Sequence, residues 1–204
     1  MLSLCDIGRP GAYSYGTIFK TTDNGALTSL YSFGGADGTY PSSTLVQATD
    51  GNFYGTTYEG GANSFGTVFE FTSGGVLLPL HSFDSTDGAM IMGSLVQGTD
   101  GNFYGTATGG GADGYGTVFS LSTGLGPFVK ALPAYGKVGA AIKILGTNLT
   151  DATSVTFNGI AAAFTVTSPT LITTTVPAGA TSGKVQVTTP GGTLSGNVRF
   201  LVLK

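Results

Sequence analysis

The sequence of 204 residues has no tryptophan, one cysteine and one histidine. With Cys5 alone, no intramolecular disulfide can form. With His81 the sole histidine, there is no ligand set for a zinc site, and Cys/His or Ser/His/Asp nucleophile systems are not expected. Charge is scarce too. Only 9% of residues are Asp, Glu, Lys or Arg, against about 25% in an average soluble domain. No cluster of Lys and Arg is present, so nucleic acid is not an expected partner. No apolar run approaches the roughly 20 residues of a membrane-spanning helix, and membrane insertion is not expected. No long amphipathic helical pattern appears. Leu2-Ser3-Leu4-Cys5 is not read as a lipoprotein cleavage site, because no charged and apolar leader precedes it and the residue before Cys5 is large.

Glycine is plentiful, at 35 residues, and one phrase returns. DGNFYGT stands at residues 50–56 and again at 100–106. Tyr15-Gly16-Thr17-Ile18-Phe19 returns as Phe65-Gly66-Thr67-Val68-Phe69 and Tyr115-Gly116-Thr117-Val118-Phe119. Residues 11–60 laid over 61–110 without gaps agree at 26 of 50 positions, so the chain carries a duplicated unit. Each copy holds four strand-like runs: Gly16–Thr22, Leu27–Phe33, Ser43–Thr49 and Asn52–Thr57 in the first. Alternation puts Phe65, Thr67, Phe69 and Phe71 on one face, with Gly66, Val68 and Glu70 on the other. Lys20, Glu70 and Ser120 share one repeat position, which reads as solvated. Asp50-Gly51 and Asp100-Gly101 predict type I′ hairpins. Asp37-Gly38 and Asp87-Gly88 mark a second turn. Four short strands per unit match a propeller blade. Before Gly11 a strand like Asn52–Thr57 is expected and no match is found, as if the chain started inside a unit and were a fragment. The third copy stops near Thr123.

These phrases, with Leu-Val-Gln and the glycine-rich joints, resemble the GloVer tandem repeat of bacterial choice-of-anchor proteins over about residues 11–123. The resemblance implies a secreted or surface-attached bacterial protein and brings no catalytic residues.

Charge divides the chain. Residues 1–125 hold two basic and ten acidic side chains, for −8, and residues 126–204 hold six basic and one acidic, for +5. The reading is a non-repeat N-terminus at 1–10, repeats at 11–125 and a separate domain at 126–204. Beyond Gly124-Leu125-Gly126-Pro127, strand-like runs fall at 128–132, 138–145, 153–157, 160–167, 170–176, 183–188 and 197–203. Turn signals separate them at Ala134-Tyr135-Gly136, Gly146-Thr147-Asn148, Asn158-Gly159, Ser168-Pro169, Pro177-Ala178-Gly179 and Pro190-Gly191-Gly192. Seven short strands at this spacing predict an immunoglobulin-like sandwich, with Val185, Val187, Val198, Phe200 and Val202 facing inward. Ile144-Leu145-Gly146-Thr147-Asn148-Leu149, Val155-Thr156-Phe157-Asn158-Gly159 and Val176-Pro177-Ala178-Gly179-Ala180 make this segment similar to the IPT/TIG domain. That resemblance implies an immunoglobulin-like fold found in bacterial surface proteins and beside carbohydrate-active domains. DNA binding is not carried over, because the base-reading loops of the DNA-binding relatives belong mostly to a domain absent here.

Each residue that might hold chemistry also has a plain packing role. His81 aligns with Tyr31 and reads as an aromatic packing site. Glu59 and Glu70 align with Gly109 and Ser120, so nothing marks them as a glycosidase pair. Asp50, Asn52, Asp100 and Asn102 offer oxygens for calcium, but turn chemistry accounts for them. Tyr54, Tyr58, Tyr104, Phe53 and Phe103 read as packing between sheets before they read as a sugar-stacking surface. Asn148-Leu149-Thr150 fits a glycosylation sequon and reads as a turn.

The expectation is an all-β chain: an incomplete β-propeller-like repeat region of two four-strand units plus one strand, then an immunoglobulin-like β-sandwich. It is expected to be a non-enzymatic structural or adhesion module, extracellular or at the cell surface, without catalytic residues, metal or cofactor. The alternative is a carbohydrate-binding accessory region of a larger secreted enzyme. Its partner is an unidentified protein or polysaccharide, and open sheet edges invite self-association.

Overall fold

The computed structural model describes residues 14–41 and 43–204, with residues 2–5 described as backbone. Gly11-Ala12, where the repeat match begins, and the side chain of Cys5 lie outside the described residues. Among the described residues the chain forms strands and turns, and no helix is long and apolar enough to cross a membrane. It divides into two units, one running through Gln97 and adding Phe103–Thr123, the other made of Gly98–Asn102 and Gly124–Lys204.

The first unit contains three antiparallel sheets in chain order. The first joins β1 (Leu2–Cys5), β2 (Thr17–Thr21) and β3 (Leu27–Ser32). The second joins β4 (Val46–Gln47), β5 (Phe53–Thr57), β6 (Thr67–Phe71) and β7 (Leu77–Ser82). The third joins β8 (Val96–Gln97), β9 (Phe103–Ala107) and β10 (Thr117–Leu121). None closes into a barrel.

The strands group differently from the sequence units. The second and third sheets each begin with the third run of one copy, the first begins with the counterpart of the fourth, and the second sheet ends with the second run of the next copy. The DGNFYGT strand β5 pairs with β6 of the following copy, from Phe53↔Phe71 to Thr57↔Thr67. Three blade-like sheets of three, four and three strands replace two four-strand units and a spare strand.

The strand thought missing before Gly11 is also present. β1 pairs with β2 from Leu2↔Lys20 to Cys5↔Thr17. Ungapped alignment sets Cys5 over Gly55, but the pairing puts Cys5 where Thr57 stands in the next sheet. The β1–β2 connection is two residues longer than β5–β6, and backbone pairing needs no shared letters.

The second sheet is buried on both faces. Thr67, Phe69 and Phe71 lie on one side, where Ile18, Phe33, Phe69 and Phe71 form a core that Tyr31, Leu45, Phe53 and Leu77 flank. Tyr54, Thr56 and Val68 lie on the other side, also buried. Such positions contribute about 1.5–3 kcal/mol for each large apolar side chain taken from water.

The Asp-Gly hairpins form, but not as type I′ turns. Gly51 adopts φ 87°, while Asp50 is absent from the residues at positive φ. Gly51 N–H donates to the Ala48 carbonyl at 3.0 Å and Ala48 N–H to the Asn52 carbonyl at 2.9 Å. This closes a three-residue loop with one left-handed glycine, the bulged hairpin. Gly101 repeats it at φ 95°. A true two-residue type I′ turn occurs where the sequence offers Asn-Gly: Asn158 at φ 49° and Gly159 at φ 86°.

That turn belongs to the second unit, a β-sandwich. One sheet orders β11 (Lys130–Leu132), β13 (Ala141–Leu145), β17 (Leu171–Thr175) and β16 (Phe164–Ser168). The other orders β15 (Ile160–Ala161), β14 (Ser154–Phe157), β18 (Val185–Thr189) and β19 (Gly192–Ser195). A short parallel pair joins β12 (Tyr135–Lys137) to β20 (Leu201–Leu203). Ile142, Ile144 and Ile172 of one sheet meet Val155, Phe157, Val185 and Val187 of the other in one core.

Three details depart from the seven expected strands. Tyr135-Gly136 and Gly192, read as turns, lie in β12 and β19. The run 160–167 splits into β15 and β16. Val198 is 49% exposed rather than inward, because β20 starts only at Leu201 and it is Phe200 that turns into the core.

Candidate functional site

The DGNFYGT phrase builds a closed polar cluster. Asp50 Oδ1 accepts from the Asn52 backbone N–H, and its Oδ2 accepts from Asn52 Nδ2 at 3.1 Å and from the Tyr54 hydroxyl at 2.9 Å. Asn52 Nδ2 also donates to Glu70 Oε1 at 2.7 Å, and Asn52 Oδ1 accepts from the Ser73 N–H. Burial first, and then the Asp50 hydrogen bond, hold the Tyr54 hydroxyl well above the usual tyrosine range. Every carboxylate oxygen of Asp50 thus faces a donor, the arrangement of a turn rather than of a cation cage. Asp100 and Asn102 repeat the two turn bonds. Among the described residues no group of three or more His, Cys, Asp or Glu is placed to hold a metal ion. Glu70, expected to be solvated, is half-buried because Asn52 draws its carboxylate in.

Its aromatic letters work between sheets. The Tyr54 ring stacks on Phe103 of the third sheet, with centroids 4.2 Å apart. Phe53 is half-buried against the core below, and Tyr58 is half-buried too. Tyr104 is 40% exposed. The five aromatics weighed as a sugar-stacking surface are therefore not brought together on one surface. The glycine of the phrase is fixed by close approach: a Cβ on Gly105 would stand 2.4 Å from Phe119 Cζ.

The threonine of the second phrase ties successive sheets. Thr67 Oγ1 donates to the Asp37 carbonyl at 3.1 Å and Thr117 Oγ1 to the Asp87 carbonyl at 2.8 Å. At the same turns sits a repeated pairing that the sequence reading missed. The Tyr31 hydroxyl donates to Asp37 Oδ2 at 2.5 Å, and His81 Nε2 lies 2.6 Å from Asp87 Oδ2. Asp37 and Asp87 each accept a backbone N–H on the other oxygen, from Gly34 and Asp84. The shared position is thus an aromatic ring with a polar tip for a carboxylate six residues on. That signal was legible as Tyr31…Asp37 and His81…Asp87 at one spacing. Tyr31 is raised to about 12 by burial, then by its bond to Asp37. Tyr31 packs on Phe71, but the next copy has His81 and Leu121 there, and a pocket of about 170 Å³ opens beside Val68, Phe83 and Phe119. His81 meets Phe83 edge-on at 4.8 Å, so it packs as expected and is also an acid–base group on a small pocket.

Glu59 is exposed on a groove of about 360 Å³ whose walls include Tyr15, Tyr40 and Ser64. Glu70 does not line that groove, and the two glutamates work in separate settings: Glu59 N–H and carbonyl pair with Thr39, while Glu70 serves Asn52. Asn148 of the sequon adopts φ 56°, a turn conformation.

A family model of the Gloeobacter/Verrucomicrobia repeat matches residues 8–165, through the first unit and into the second. No curated protein matches the chain. Among solved structures, a novel fungal alcohol oxidase of the AA5 family in complex with copper is similar at 14% identity and a TM-score of 0.38. The similarity covers 95% of this chain and 49% of that one, so the chain spans about half of that protein's length.

Proposed function

The chain belongs to the Gloeobacter/Verrucomicrobia repeat family, and from that membership and its packing we propose a non-enzymatic structural or adhesion module, secreted or held at a bacterial cell surface. One observation carries the reading. The groups that recur from copy to copy spend their polar and aromatic capacity inside the fold: Asp50 on its own turn and Tyr54, Tyr54 on Phe103, Thr67 on Asp37. What the repeat preserves is a way of stacking sheets. The weakly charged, hydroxyl-rich composition supports the same reading, as does the likeness of residues 127–204 to IPT/TIG domains. The test is a broad hydrolase, lyase and oxidase screen on purified protein. No turnover is expected, and turnover abolished by one point substitution would sink the proposal.

A second reading, a carbohydrate-binding accessory region, is favoured by the groove at Glu59. Two tyrosine rings, Tyr15 and Tyr40, flank an exposed carboxylate there. Rings and carboxylates are the groups that stack on and hydrogen-bond sugars. The whole chain is assayed on a panel of soluble and insoluble glycans. Saturable binding lost in both Tyr15→Ala and Glu59→Gln supports the second reading, and no binding on any glycan supports the first.

A further inference from the structure

The three sheets of the first unit cover one another in one direction. The upper face of the second sheet, at Tyr54, Thr56 and Val68, is 2%, 0% and 1% exposed. The third sheet does this covering: Phe103 stacks on Tyr54, and Phe119 meets Phe83 at 4.9 Å. The third sheet presents the same chemistry at the same repeat positions, uncovered. Val96 is 64% exposed, Tyr104 40% and Val118 82%. Along β9 and β10 burial alternates residue by residue, so the lower face is packed and the upper face bare. The 50-residue phrases do not return after Thr123, and this face stays exposed in the chain as described.

The matching half lies at the other end of the unit. Each lower face presents an aromatic at the third position of the YGTVF strand and a leucine on the next strand. In the second sheet these are Phe69, fully buried against Phe33 at 5.3 Å, and Leu77, packed on the same core. In the first sheet they are Phe19, half-buried, and Leu27, 63% exposed.

We propose that a second copy of this chain docks head to tail, the lower face of its first sheet (Phe19, Leu27) covering the upper face of the third sheet (Val96, Tyr104, Val118). The contact repeats, between chains, the packing that joins the second and third sheets within one. It uses two different faces, so it is heterologous and continues until it closes a ring or forms a filament. It is face packing, a contact distinct from pairing at open sheet edges. It holds whether the chain is an adhesion module or a sugar-binding one.

Sedimentation of the whole protein over a concentration series tests it. Wild type is expected to gain mass in whole-chain steps as concentration rises. Val118→Asp and Leu27→Asp each place a carboxylate on an exposed site, so each keeps the wild-type thermal midpoint at high dilution and sediments as a monomer. Mixed in equal amounts, they form a dimer that does not grow, because one keeps a sound lower face and the other a sound upper face. A wild type that stays monomeric overturns the proposal. So does self-association that survives Leu27→Asp, which would mean a symmetric contact, and so does a mixture that remains monomeric.

Discussion

At the scale of single residues, the repeat phrases make sense letter by letter once distances are known. Gly105 is glycine because Phe119 occupies the space a Cβ would fill. Gly105→Ala forces the ring or the strand to move, and overpacking of this kind costs about 1–3 kcal/mol. Urea unfolding of the first unit should show a lowered midpoint with an unchanged slope. The two tyrosine hydroxyls bonded to carboxylates make a separate prediction. Tyr31 is raised from 10.0 to about 12, and Tyr54 further, both by burial first and then by an adjacent carboxylate. The folded state therefore holds these protons more tightly than the unfolded chain does. The stability this confers is complete below pH 10 and is lost as pH climbs toward and past 12. In a spectrophotometric titration Tyr31 and Tyr54 should ionise last of the nine tyrosines, together with unfolding. Tyr31→Phe and Tyr54→Phe should each remove part of that late step. A titration in which all tyrosines ionise together near pH 10 would count against the burial described here.

At the scale of elements, the Asp-Gly hairpin is a unit whose parts can be separated. Asp50→Ala removes the acceptor for two Asn52 donors and leaves the Tyr54 hydroxyl, in a side chain 2% exposed, without its partner. An unsatisfied buried donor costs about 1–3 kcal/mol. Asp50→Asn keeps one acceptor oxygen and should lose less, which thermal unfolding of the two variants resolves. The sequence made the existence of these hairpins plain, since Asp-Gly stands between two strand-like runs. It did not disclose their class. Asp50 stays out of the left-handed region because its carboxylate is already bonded to the Asn52 N–H, so only Gly51 turns. In the Asn158-Gly159 hairpin both residues turn. Strand existence and face alternation were legible for the same kind of reason: Phe65, Thr67, Phe69 and Phe71 declare one face by their spacing. Which strand pairs with which was not legible, as periodicity is a property of one strand and pairing of two. Hence β1 was missed and the sheets were phased differently. The candidate site was legible only in part. The Asp50–Asn52 turn could be read from sequence, and the shared spacing of Tyr31…Asp37 and His81…Asp87 stood there too, but that each ring touches its carboxylate follows only once the turn folds back on the strand.

At the scale of the whole molecule, among the described residues a core in the first unit and a core in the second share no residue. One gathers Ile18, Phe33, Phe69 and Phe71, the other Val129, Ile142, Ile144, Phe157, Val187 and Phe200 among its members. The composition changes at the same place, from −8 across residues 1–125 to +5 across 126–204. Two cores of this kind are expected to unfold as two cooperative units rather than one. Single substitutions separate them. Phe103 is fully buried against Tyr54, and Phe157 is 1% exposed with its ring edge-on to Phe200 at 5.0 Å. Each Phe→Ala change opens a cavity, at a cost of about 3–5 kcal/mol. Calorimetry of the intact chain should show two transitions, with Phe103→Ala lowering one and Phe157→Ala lowering the other. A single transition moved equally by both variants would mean that the repeats and the sandwich fold as one body. The exposed upper face at Val96 and Val118 gives the repeat transition a further signature. Covering that face by a second copy adds stability to the first unit alone, so its midpoint should rise with protein concentration while that of the sandwich stays fixed. Val118→Asp should abolish this dependence without lowering the midpoint measured at high dilution.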